Sequence, residues 1–310
     1  MKIFTKLEEI KDTGFTALAL GNFDGVHKGH QKLLAECVAT AAQLGLEPSV
    51  FTFTNHPANE IAGRTVIKNI MTFEEKAAEL EMAGIENMFS IIFDENIRNL
   101  SPLDFINFLL QDKFRMRHAV CGFDYSFGYK AQGDAELLKH CGLEMGFGVS
   151  VVPGLKINGE IVSSTLIRKI IDEGRIDEYP AYTGRLYRID GRVVEGKHLG
   201  RRLGYPTMNL SLDSDEAFPR NGVYITRTYV DHTPHPSITN VGNKPTVGEF
   251  AKNAETHIFG FEGELYGSDV RIEFIKMLRP EFKFPSLEAL QKQIHSDCLE
   301  AERYFEEEDT

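Results

Sequence analysis

Short apolar runs alternate with longer segments of helical period through the first half of the chain. The runs predict buried strands and comprise Phe15–Gly21, Pro48–Phe53, Asn87–Phe93, His118–Gly122 and Gly148–Val152. The segments between them repeat apolar residues at intervals of three and four, and comprise His30–Gly45, Thr72–Gly84, Ser101–Leu110 and Gly133–Gly142. Strands that alternate with helices in this way predict an α/β domain with a doubly wound, mainly parallel sheet.

The pattern of hydrophobic and polar residues changes after Tyr182. Most of the later segments alternate polar and apolar residues like half-buried strands, and they comprise Gly184–Gly196, Gly222–Val230, His235–Gly242, Glu255–Phe261 and Ser268–Ile275. A long helical period returns only at Ser286–Glu308. This half therefore predicts an antiparallel barrel or sandwich closed by a C-terminal helix. We expect two domains, 1–182 and 183–310, with Glu255 opening a strand after a polar loop.

Composition narrows the class of protein. The 310 residues carry 46 acidic and 34 basic side chains, which gives a formal charge of -12. A negative protein repels the phosphate backbone, so this charge argues against nucleic acid as the main partner. No apolar run approaches the ~18 residues that suggest a membrane span, and the N-terminal stretch lacks the apolar centre of a signal peptide. The four cysteines form no CxxC pair, which favours a reduced cytoplasmic protein, and Cys37 lies on an apolar helical stripe typical of a core.

The stretch GNFDGVHKGH, Gly21–His30, follows the first predicted strand and enters the first predicted helix. Ligands bind at this edge of doubly wound sheets, and a helix N-terminus favours anions. Gly21 and Gly25 let the backbone approach a nucleotide, while His27 and His30 can donate hydrogen bonds to phosphate oxygens. A zinc site would need further ligands and lacks the HExxH pattern. Two histidines that only cap a helix would also explain HxxH taken alone.

A second stretch, SSTLIR, strengthens the phosphate interpretation. Its hydroxyls, including Ser164 and Thr165, stand at a predicted helix N-terminus, with Arg168 one turn further on. Hydroxyls, free N–H groups and a guanidinium together suit a di- or triphosphate. Taken alone, this pattern is more typical of an ordinary helix cap.

A third stretch, GKHLGRRLGYPTMN, lies in the second half. Gly196, Gly200 and Gly204 predict a flexible loop that also carries Lys197, Arg201 and Arg202. Thr207 and Asn209 would face one side of an extended chain and could hold a hard cation such as Mg²⁺. A loop with ordinary polar side chains explains this pattern equally well when it stands alone.

Together these motifs resemble the bifunctional bacterial riboflavin kinase/FMN adenylyltransferase (FAD synthetase) family. The resemblance rests on GNFDGVHKGHQKLL, FTFTNHP, CGFDYSFGYKAQGD and VSSTLIRKII in the first half. In the second half it rests on LGYPTMN, ETHIFGF and the segment RIEFIKMLRPEFKF with the final helix. Two departures are visible, Asn55 before the His-Pro pair and Met208 where alanine is common. The implied architecture is a Rossmann-like nucleotidyltransferase domain of the HxGH type, followed by a six-stranded antiparallel barrel kinase domain.

The resemblance also implies roles for individual residues. In the first domain, His27 and His30 would be catalytic, and nucleotide or phosphate would bind Gly21, Phe23, Asp24, Gly25, Asp124, Ser164, Thr165 and Arg168. In the second domain, Thr207 and Asn209 would hold magnesium and Glu255 would be the general base. Gly196, Gly200 and Gly204 would bind nucleotide phosphates.

The implied activity is ATP-dependent phosphorylation of riboflavin to FMN, then adenylyl transfer from ATP to FMN, giving FAD. The expected partners are riboflavin, FMN, FAD, ATP and Mg²⁺, with no nucleic acid or membrane, in a monomer or weak oligomer. A tRNA-linked enzyme with an HIGH-type motif conflicts with the charge and lacks a KMSKS-like loop. A non-enzymatic flavin-binding protein would not need the full set of candidate catalytic residues. An adenylyltransferase for another phosphorylated cofactor precursor would leave the second half unexplained.

Overall fold

The computed structural model describes residues 1–11, 13–196, 200, 203–211, 215–245 and 250–308. The chain forms two compact units, Met1–Leu166 and Ile167–Thr310, here called the first and second unit. The division falls inside the helix Ser164–Glu173. The domain boundary that the sequence predicts after Tyr182 stays a prediction.

The first unit contains ten strands and six complete α-helices within its described residues, and a seventh α-helix crosses the division. The strands are β1 (Lys2–Phe4), β2 (Thr16–Leu20), β3 (Glu47–Phe53), β4 (Asn87–Ile91), β5 (Met116–Gly122), β6 (Ser126–Phe127), β7 (Gly133–Asp134), β8 (Gly148–Val152), β9 (Lys156–Ile157) and β10 (Glu160–Ile161). The helices are α1 (Lys28–Leu44), α2 (Pro57–Ala62), α3 (Phe73–Met82), α4 (Glu95–Arg98), α5 (Pro102–Asp104), α6 (Ala135–Met145) and α7 (Ser164–Glu173). Helix α5 continues as a π-helical segment, Phe105–Lys113.

Six parallel strands form the main sheet in the order β1-β4-β3-β2-β5-β8. The chain moves outward from β2 through β3 to β4, then returns to the other side of β2 for β5 and β8. The topological switch point therefore lies between β2 and β5, where ligands bind at the carboxyl edge of such sheets. The predicted doubly wound sheet is confirmed, and β1 is an addition whose three residues are too few to show a period.

Both faces of the sheet are covered by helices. On β2, Leu18 and Leu20 pack into one core with the π-helical segment and α6, while Ala17 and Ala19 pack into the other with α1 and α3. Strands buried on both faces are apolar without alternation, which is why β2 reads as a continuous run. Cys37 of α1 is fully buried in the second of these cores, as its position on the apolar stripe predicts.

The second unit contains a closed six-stranded barrel. Its strands are β11 (Tyr187–Val194), β12 (Met208–Ser211), β13 (Gly222–Val230), β14 (Thr233–Pro245), β15 (Phe250–Ile258) and β16 (Asp269–Pro280). They follow one another around the barrel as β11-β12-β15-β14-β13-β16, all antiparallel, and pairing of β11 with β16 closes the circle. The structure thus selects the barrel over the sandwich.

Two helices accompany the barrel, α8 (Tyr179–Thr183) and the C-terminal α9 (Leu287–Glu308). Helix α9 brings Cys298, Ala301 and Phe305 to a core that includes Val223 and Ile225 of β13. Alternate residues of β13, such as Tyr224 and Thr226, are fully buried as well, so both faces of this strand are covered. The predicted C-terminal helix is confirmed.

The expectation that Glu255 opens a strand is wrong. Strand β15 begins at Phe250, five residues earlier, and Glu255 lies well inside it. The residues from Phe250 to Ala254 contain no β-branched side chain, so their sequence does not indicate a strand. Pairing with β14 from Pro245 onward extends β15 to Phe250. Glu255 is therefore held within a strand of the closed barrel that is paired on both sides.

All four cysteines are free and buried. Burial raises the pKa of Cys37 and Cys121 to about 11 and that of Cys298 to about 12, and it raises the pKa of Cys141 as well. Among the residues that the structure describes, no helix is both long enough and apolar enough to cross a membrane.

Candidate active sites

A tight turn carries the backbone from β2 into α1. Phe23, Gly25 and Val26 have φ angles of 50°, 80° and 31°, in the region that favours glycine. A side chain at Gly25 would also meet Ile70, whose Cδ1 lies 3.0 Å from an ideal Cβ position. Residues held in such conformations cost of order 1–3 kcal/mol each and cluster at functional sites. Gly21 precedes the turn, and its N–H donates to the carbonyl of Phe51 on β3.

His27 is the N-cap of α1. Its Nδ1 accepts a hydrogen bond from the backbone N–H of His30 at 3.2 Å, so this nitrogen carries no proton. The ring is 5% exposed and stacks on that of His30, with centroids 3.7 Å apart. Capping leaves the Nε2 of His27 as its hydrogen-bond donor. Helix capping and phosphate binding are therefore compatible. The cap uses Nδ1 of His27 as an acceptor, and this places the ring proton on Nε2.

Two motifs that are 140 residues apart meet at this turn. Ser164 Oγ donates to the carbonyl oxygen of Asp24 at 2.8 Å. The Asp24 carboxylate is 6% exposed and accepts from the backbone N–H of Ile70 at 2.9 Å, which holds the turn in shape. Thr165 is exposed beside Ser164, and Arg168 follows one turn further along α7, beyond the division between the units.

Asp124 lies close beyond the carboxyl end of β5, on the other side of the switch point from the glycine turn. Its side chain is exposed. A Cβ atom at Gly122 would stand 3.0 Å from Asp124 Oδ1, so the missing side chain at Gly122 leaves room for the carboxylate. The fold thus brings Asp124 to the same edge of the sheet as His27.

Lys76 of α3 also reaches this edge, and no motif in the sequence pointed to it. Its Nζ lies 3.4 Å from the carbonyl oxygen of Asn22 and 3.5 Å from that of Phe53, at the ends of β2 and β3. Burial lowers the pKa of Lys76, and the negative charge of Asp24 opposes that shift. A partly buried ammonium with a lowered pKa, at the edge of the sheet where such folds bind ligands, is a functional-site candidate.

A second cluster of oxygen and amide groups lies on the barrel. Asn209 of β12 stands directly opposite Glu255 of β15 in the antiparallel register. The Nδ2 of Asn253 donates to Asn209 Oδ1 at 3.2 Å and to Glu255 Oε1 at 3.0 Å. One buried amide therefore fixes the orientation of both predicted site residues, a role that the sequence did not indicate for Asn253.

The glycines of the third motif fit closely against this cluster. A Cβ at Gly196 would stand 2.1 Å from the Nδ2 of Asn209, and one at Gly200 would stand 3.0 Å from the Oγ1 of Thr207. Gly204 has a φ of 89°, which favours glycine. Lys197, Arg201 and Arg202, which the sequence places in the same loop, lie outside the described residues.

A cavity of about 320 Å³ adjoins Thr207 at one end of the barrel. Its lining comprises Val193, Pro206, Thr207, Met208, Thr256, Ile258 and the segment from Phe261 to Tyr266. The mixture of apolar walls with a few polar groups is typical of a small-molecule site.

Two family models match successive parts of the chain. The model for FAD synthetase matches residues 9–166 and the model for riboflavin kinase matches residues 183–305. The chain belongs to the bifunctional riboflavin kinase/FMN adenylyltransferase family.

Members of this family match nearly the whole chain. The bifunctional riboflavin kinase/FMN adenylyltransferase of Pseudomonas fluorescens is 34% identical and aligns over 91% of this chain and 90% of its own. That of Bacillus subtilis is 33% identical over 94% and 92%. A crystal structure from Streptococcus pneumoniae, described as a macrolide-efflux protein, superimposes with a TM-score of 0.87 at 28% identity, covering 95% of this chain and 96% of its own.

Asn55 belongs to the first of the two departures from the family pattern, since Thr54 and Asn55 stand directly before the pair His56 and Pro57. Its Oδ1 accepts from the N–H of Phe93 at 2.7 Å, and its Nδ2 donates to the carbonyl of Phe93 at 3.1 Å. Asn55 therefore ties the end of β3 to the segment after β4.

Met208, the second departure from the family pattern, faces away from Asn209. It lies opposite Thr256 in the register, on the other side of the strand, and is 8% exposed at the wall of the cavity.

The oxygen atoms of Thr207 and Asn209 suit a hard cation as ligands. Asn209 Oδ1 receives one hydrogen bond, which leaves a lone pair, and the Thr207 hydroxyl supplies a second oxygen. Mg²⁺ prefers oxygen ligands and usually keeps waters and substrate phosphates, so a small protein donor set is sufficient. In the described part of the chain, no three His, Cys, Asp or Glu side chains gather in a way that could hold a metal ion.

Proposed function

We propose that this chain converts riboflavin to FAD in two steps, each at its own site. The second unit would transfer the γ-phosphoryl group of ATP to the ribityl 5′-hydroxyl of riboflavin, giving FMN. The first unit would join that FMN to AMP from a second ATP and release pyrophosphate. The observation that supports the proposal is that one chain holds two different clusters of polar groups, a histidine-capped helix N-terminus and a carboxylate–amide cluster on a barrel.

In the kinase step, Glu255 accepts the proton of the riboflavin hydroxyl as that oxygen attacks the γ-phosphorus, and the bond from the γ-phosphorus to ADP breaks. Asn253 holds the carboxylate in place by its bond to Oε1. Thr207 and Asn209 would hold magnesium, which when bound would offset phosphate charge. Gly196, Gly200 and Gly204 let the loop approach the phosphates closely, so positioning and electrostatics supply most of the catalysis.

The cavity beside Thr207 is the proposed place for the adenosine part of ATP. It adjoins the proposed magnesium ligand, which places the phosphates at its Thr207 end. Apolar and aromatic side chains such as Phe261 and Leu265 line it, and they suit a planar base.

In the adenylyl-transfer step, an oxygen of the FMN phosphate attacks the α-phosphorus of ATP, and the bond to pyrophosphate breaks. No general base is needed, because the attacking phosphate is already an anion. His27, through Nε2, and His30 stabilise charge on the phosphates at the N-terminus of α1. Thr165 contributes a hydroxyl to the same phosphates, while Ser164 supports the turn through its hydrogen bond to the Asp24 carbonyl. Asp124 and the turn from Gly21 to Gly25 shape the nucleotide site.

The flavins formed from riboflavin, ATP and magnesium test both assignments. Separation by chromatography should show FMN and then FAD for the natural chain. His27→Ala should stop the reaction at FMN, since it removes a donor at the adenylyl site. Glu255→Gln should block FMN formation yet still convert added FMN to FAD.

Three results would contradict this scheme. Absence of FMN from the natural chain removes the kinase assignment, and FMN without FAD removes the adenylyl assignment. If either single variant abolished both steps equally, the two-site scheme itself would be wrong.

We also propose a cytoplasmic location. Four free, buried thiols in one chain suit a reducing compartment, where disulfides rarely form.

A further inference from the structure

Five hydroxyl side chains form a continuous hydrogen-bonded chain inside the barrel. They are Thr226 and Thr228 of β13, Ser237 and Thr239 of β14, and Thr256 of β15, and none is more than 1% exposed. Successive oxygens lie 2.9 Å apart from Thr228 to Ser237 and from Ser237 to Thr226. They lie 2.8 Å apart from Thr226 to Thr239 and from Thr239 to Thr256.

The direction of every bond in this hydroxyl chain can be worked out. Ser237 Oγ also lies 3.0 Å from the backbone carbonyl oxygen of Thr226, which can only accept. Ser237 therefore donates its single hydrogen there and accepts from both Thr226 and Thr228. Thr226 has then used its hydrogen, so Thr239 must donate to Thr226, and Thr256 must donate to Thr239. Five hydrogens fill five bonds, and no other assignment satisfies all of them.

Thr256 is the end of the hydroxyl chain that reaches the cavity. It lines the cavity beside Met208, its partner in the register. Because its hydrogen points inward to Thr239, the hydroxyl can offer the cavity only lone pairs. The part of the chain that the structure describes supplies no donor to them. The Thr256 oxygen can therefore accept a hydrogen bond from a ligand that brings a donor, while its own hydrogen stays on Thr239.

We propose that Thr256 determines nucleotide specificity in the kinase step by accepting a hydrogen bond from the 6-amino group of the adenine base. This rests on the proposed function of the barrel and on its cavity as the adenosine site. A 6-oxo base, as in inosine or guanosine nucleotides, would place a second acceptor against the lone pairs of Thr256. The hydroxyl chain prevents Thr256 from turning its hydrogen outward to relieve that contact, since Thr239 would then lose its donor.

The charge at the rim of the cavity supports this orientation of the ligand. Glu262 and Glu264 line the cavity and are exposed. Carboxylates repel phosphate groups, so the phosphates are disfavoured there and the uncharged base is favoured. Val193 and Ile258 supply the apolar walls that a purine ring requires.

The test compares ATP with ITP, which differ at position 6 of the base, as phosphoryl donors to riboflavin. We expect Thr256→Val, which keeps the shape but removes the acceptor, to lower kcat/KM for ATP by about tenfold or more. The value for ITP should stay unchanged or rise, so the ratio of ATP to ITP falls. Thr256→Ser keeps a hydroxyl and should retain a ratio close to that of the natural chain.

Thr228→Val is the matched control, because it makes the same chemical change at the other end of the hydroxyl chain, away from the cavity. It should leave the ratio of ATP to ITP unchanged even where it lowers the unfolding temperature. Conversion of added FMN to FAD with ATP should be unaffected by Thr256→Val. If Thr256→Val fails to fold, Thr256→Cys carries the same comparison, since a thiol is a weak acceptor.

An unchanged ATP to ITP ratio in a folded Thr256 variant, with the natural chain active, overturns the inference and leaves the kinase assignment standing. Absence of FMN from the natural chain with either nucleotide overturns the kinase assignment, and the inference with it. A ratio that falls equally in Thr228→Val and Thr256→Val also overturns it, because the effect would then come from the barrel as a whole.

Discussion

At the scale of single residues, several side chains of the first candidate site hold the backbone around it. His27 caps α1 through Nδ1, and its Nε2 is the nitrogen that we propose to contact phosphate. Asp24 holds the glycine turn through the N–H of Ile70, and its own carbonyl receives the Ser164 hydroxyl. Substituting such a residue therefore changes local structure as well as binding, and informative variants are those that separate the two effects.

Lys76 allows that separation. Lys76→Met keeps the length of the side chain but removes the charge and both contacts to the carbonyls of Asn22 and Phe53. We expect the KM for ATP in the conversion of FMN to FAD to rise by about tenfold or more, the usual cost of losing a charged hydrogen bond. FMN formation should be unchanged. Lys139→Met, at an exposed surface pair on α6, is the control and should alter neither step.

The lowered pKa of Lys76 also predicts how the stability of the same variant depends on pH. Because burial lowers this pKa, the unfolded chain holds the proton more tightly than the folded chain between the lowered value and 10.5. Stability contributed by this group therefore rises with pH through that window. Denaturant unfolding should show Lys76→Met at least as stable as the natural chain at neutral pH, and the difference should shrink as the pH rises. A large loss of stability at neutral pH would mean that Lys76 is mainly structural.

The sequence predicted which motif residues lie together at the first candidate site. It did not predict the packing that adds further residues to them. Gly21, Asp24, His27 and Ser164 share one small region, as the motifs indicated. Lys76 could not be predicted, because it comes from an unremarkable amphipathic helix and reaches the site only through the packing of α3.

At the scale of elements, strand register builds the second site. Antiparallel pairing of β12 with β15 places Asn209 opposite Glu255, and Asn253, two residues earlier on β15, shares their face and bonds to both. The spacing of Thr207 and Asn209 suggested a shared face, but their link to Glu255 came only through a resemblance, since no local pattern fixes the pairing of strands 46 residues apart. The early start of β15 was missed for the same reason, because pairing with β14 defines it.

Gly196 tests the fit between the loop and β12. Gly196→Ala would bring a Cβ to 2.1 Å from Asn209 Nδ2 and displace the amide. We expect FMN formation to fall by about tenfold or more, while added FMN is still converted to FAD. If the effect passes through Asn209, then Gly196→Ala combined with Asn209→Ala should be no worse than Asn209→Ala alone. Fully additive losses would show that Gly196 acts independently of Asn209.

At the scale of the whole molecule, the chain places two ATP-using sites in two compact units of different architecture. The change in the hydrophobic pattern after Tyr182 was enough to predict an α/β part and a β part, because periods of 3.6 and 2 are distinct. The closure of the barrel was not contained in that pattern, since a sandwich and a barrel share the same alternation. The net charge of -12 is carried by both parts and does not identify either activity.

Two sites that work independently should complement each other between molecules. A mixture of the His27→Ala and Glu255→Gln chains should form FAD from riboflavin, ATP and magnesium, although neither chain does so alone. FMN made by the first variant would diffuse to the intact adenylyl site of the second, so FAD should appear after a lag that shortens as protein concentration rises. A mixture that accumulates FMN without FAD would show that FMN must be used by the chain that makes it.

The four buried thiols have a practical consequence for the native protein. The thiolate is the form that alkylating reagents and oxidants attack, and raised pKa values keep its population very small at neutral pH. Burial also keeps such reagents away from the sulfur atoms. A cysteine introduced at an exposed position such as Leu143, which is 87% accessible, would therefore be the preferred point of attachment for a fluorophore or spin label. The natural cysteines need not be removed before such labelling.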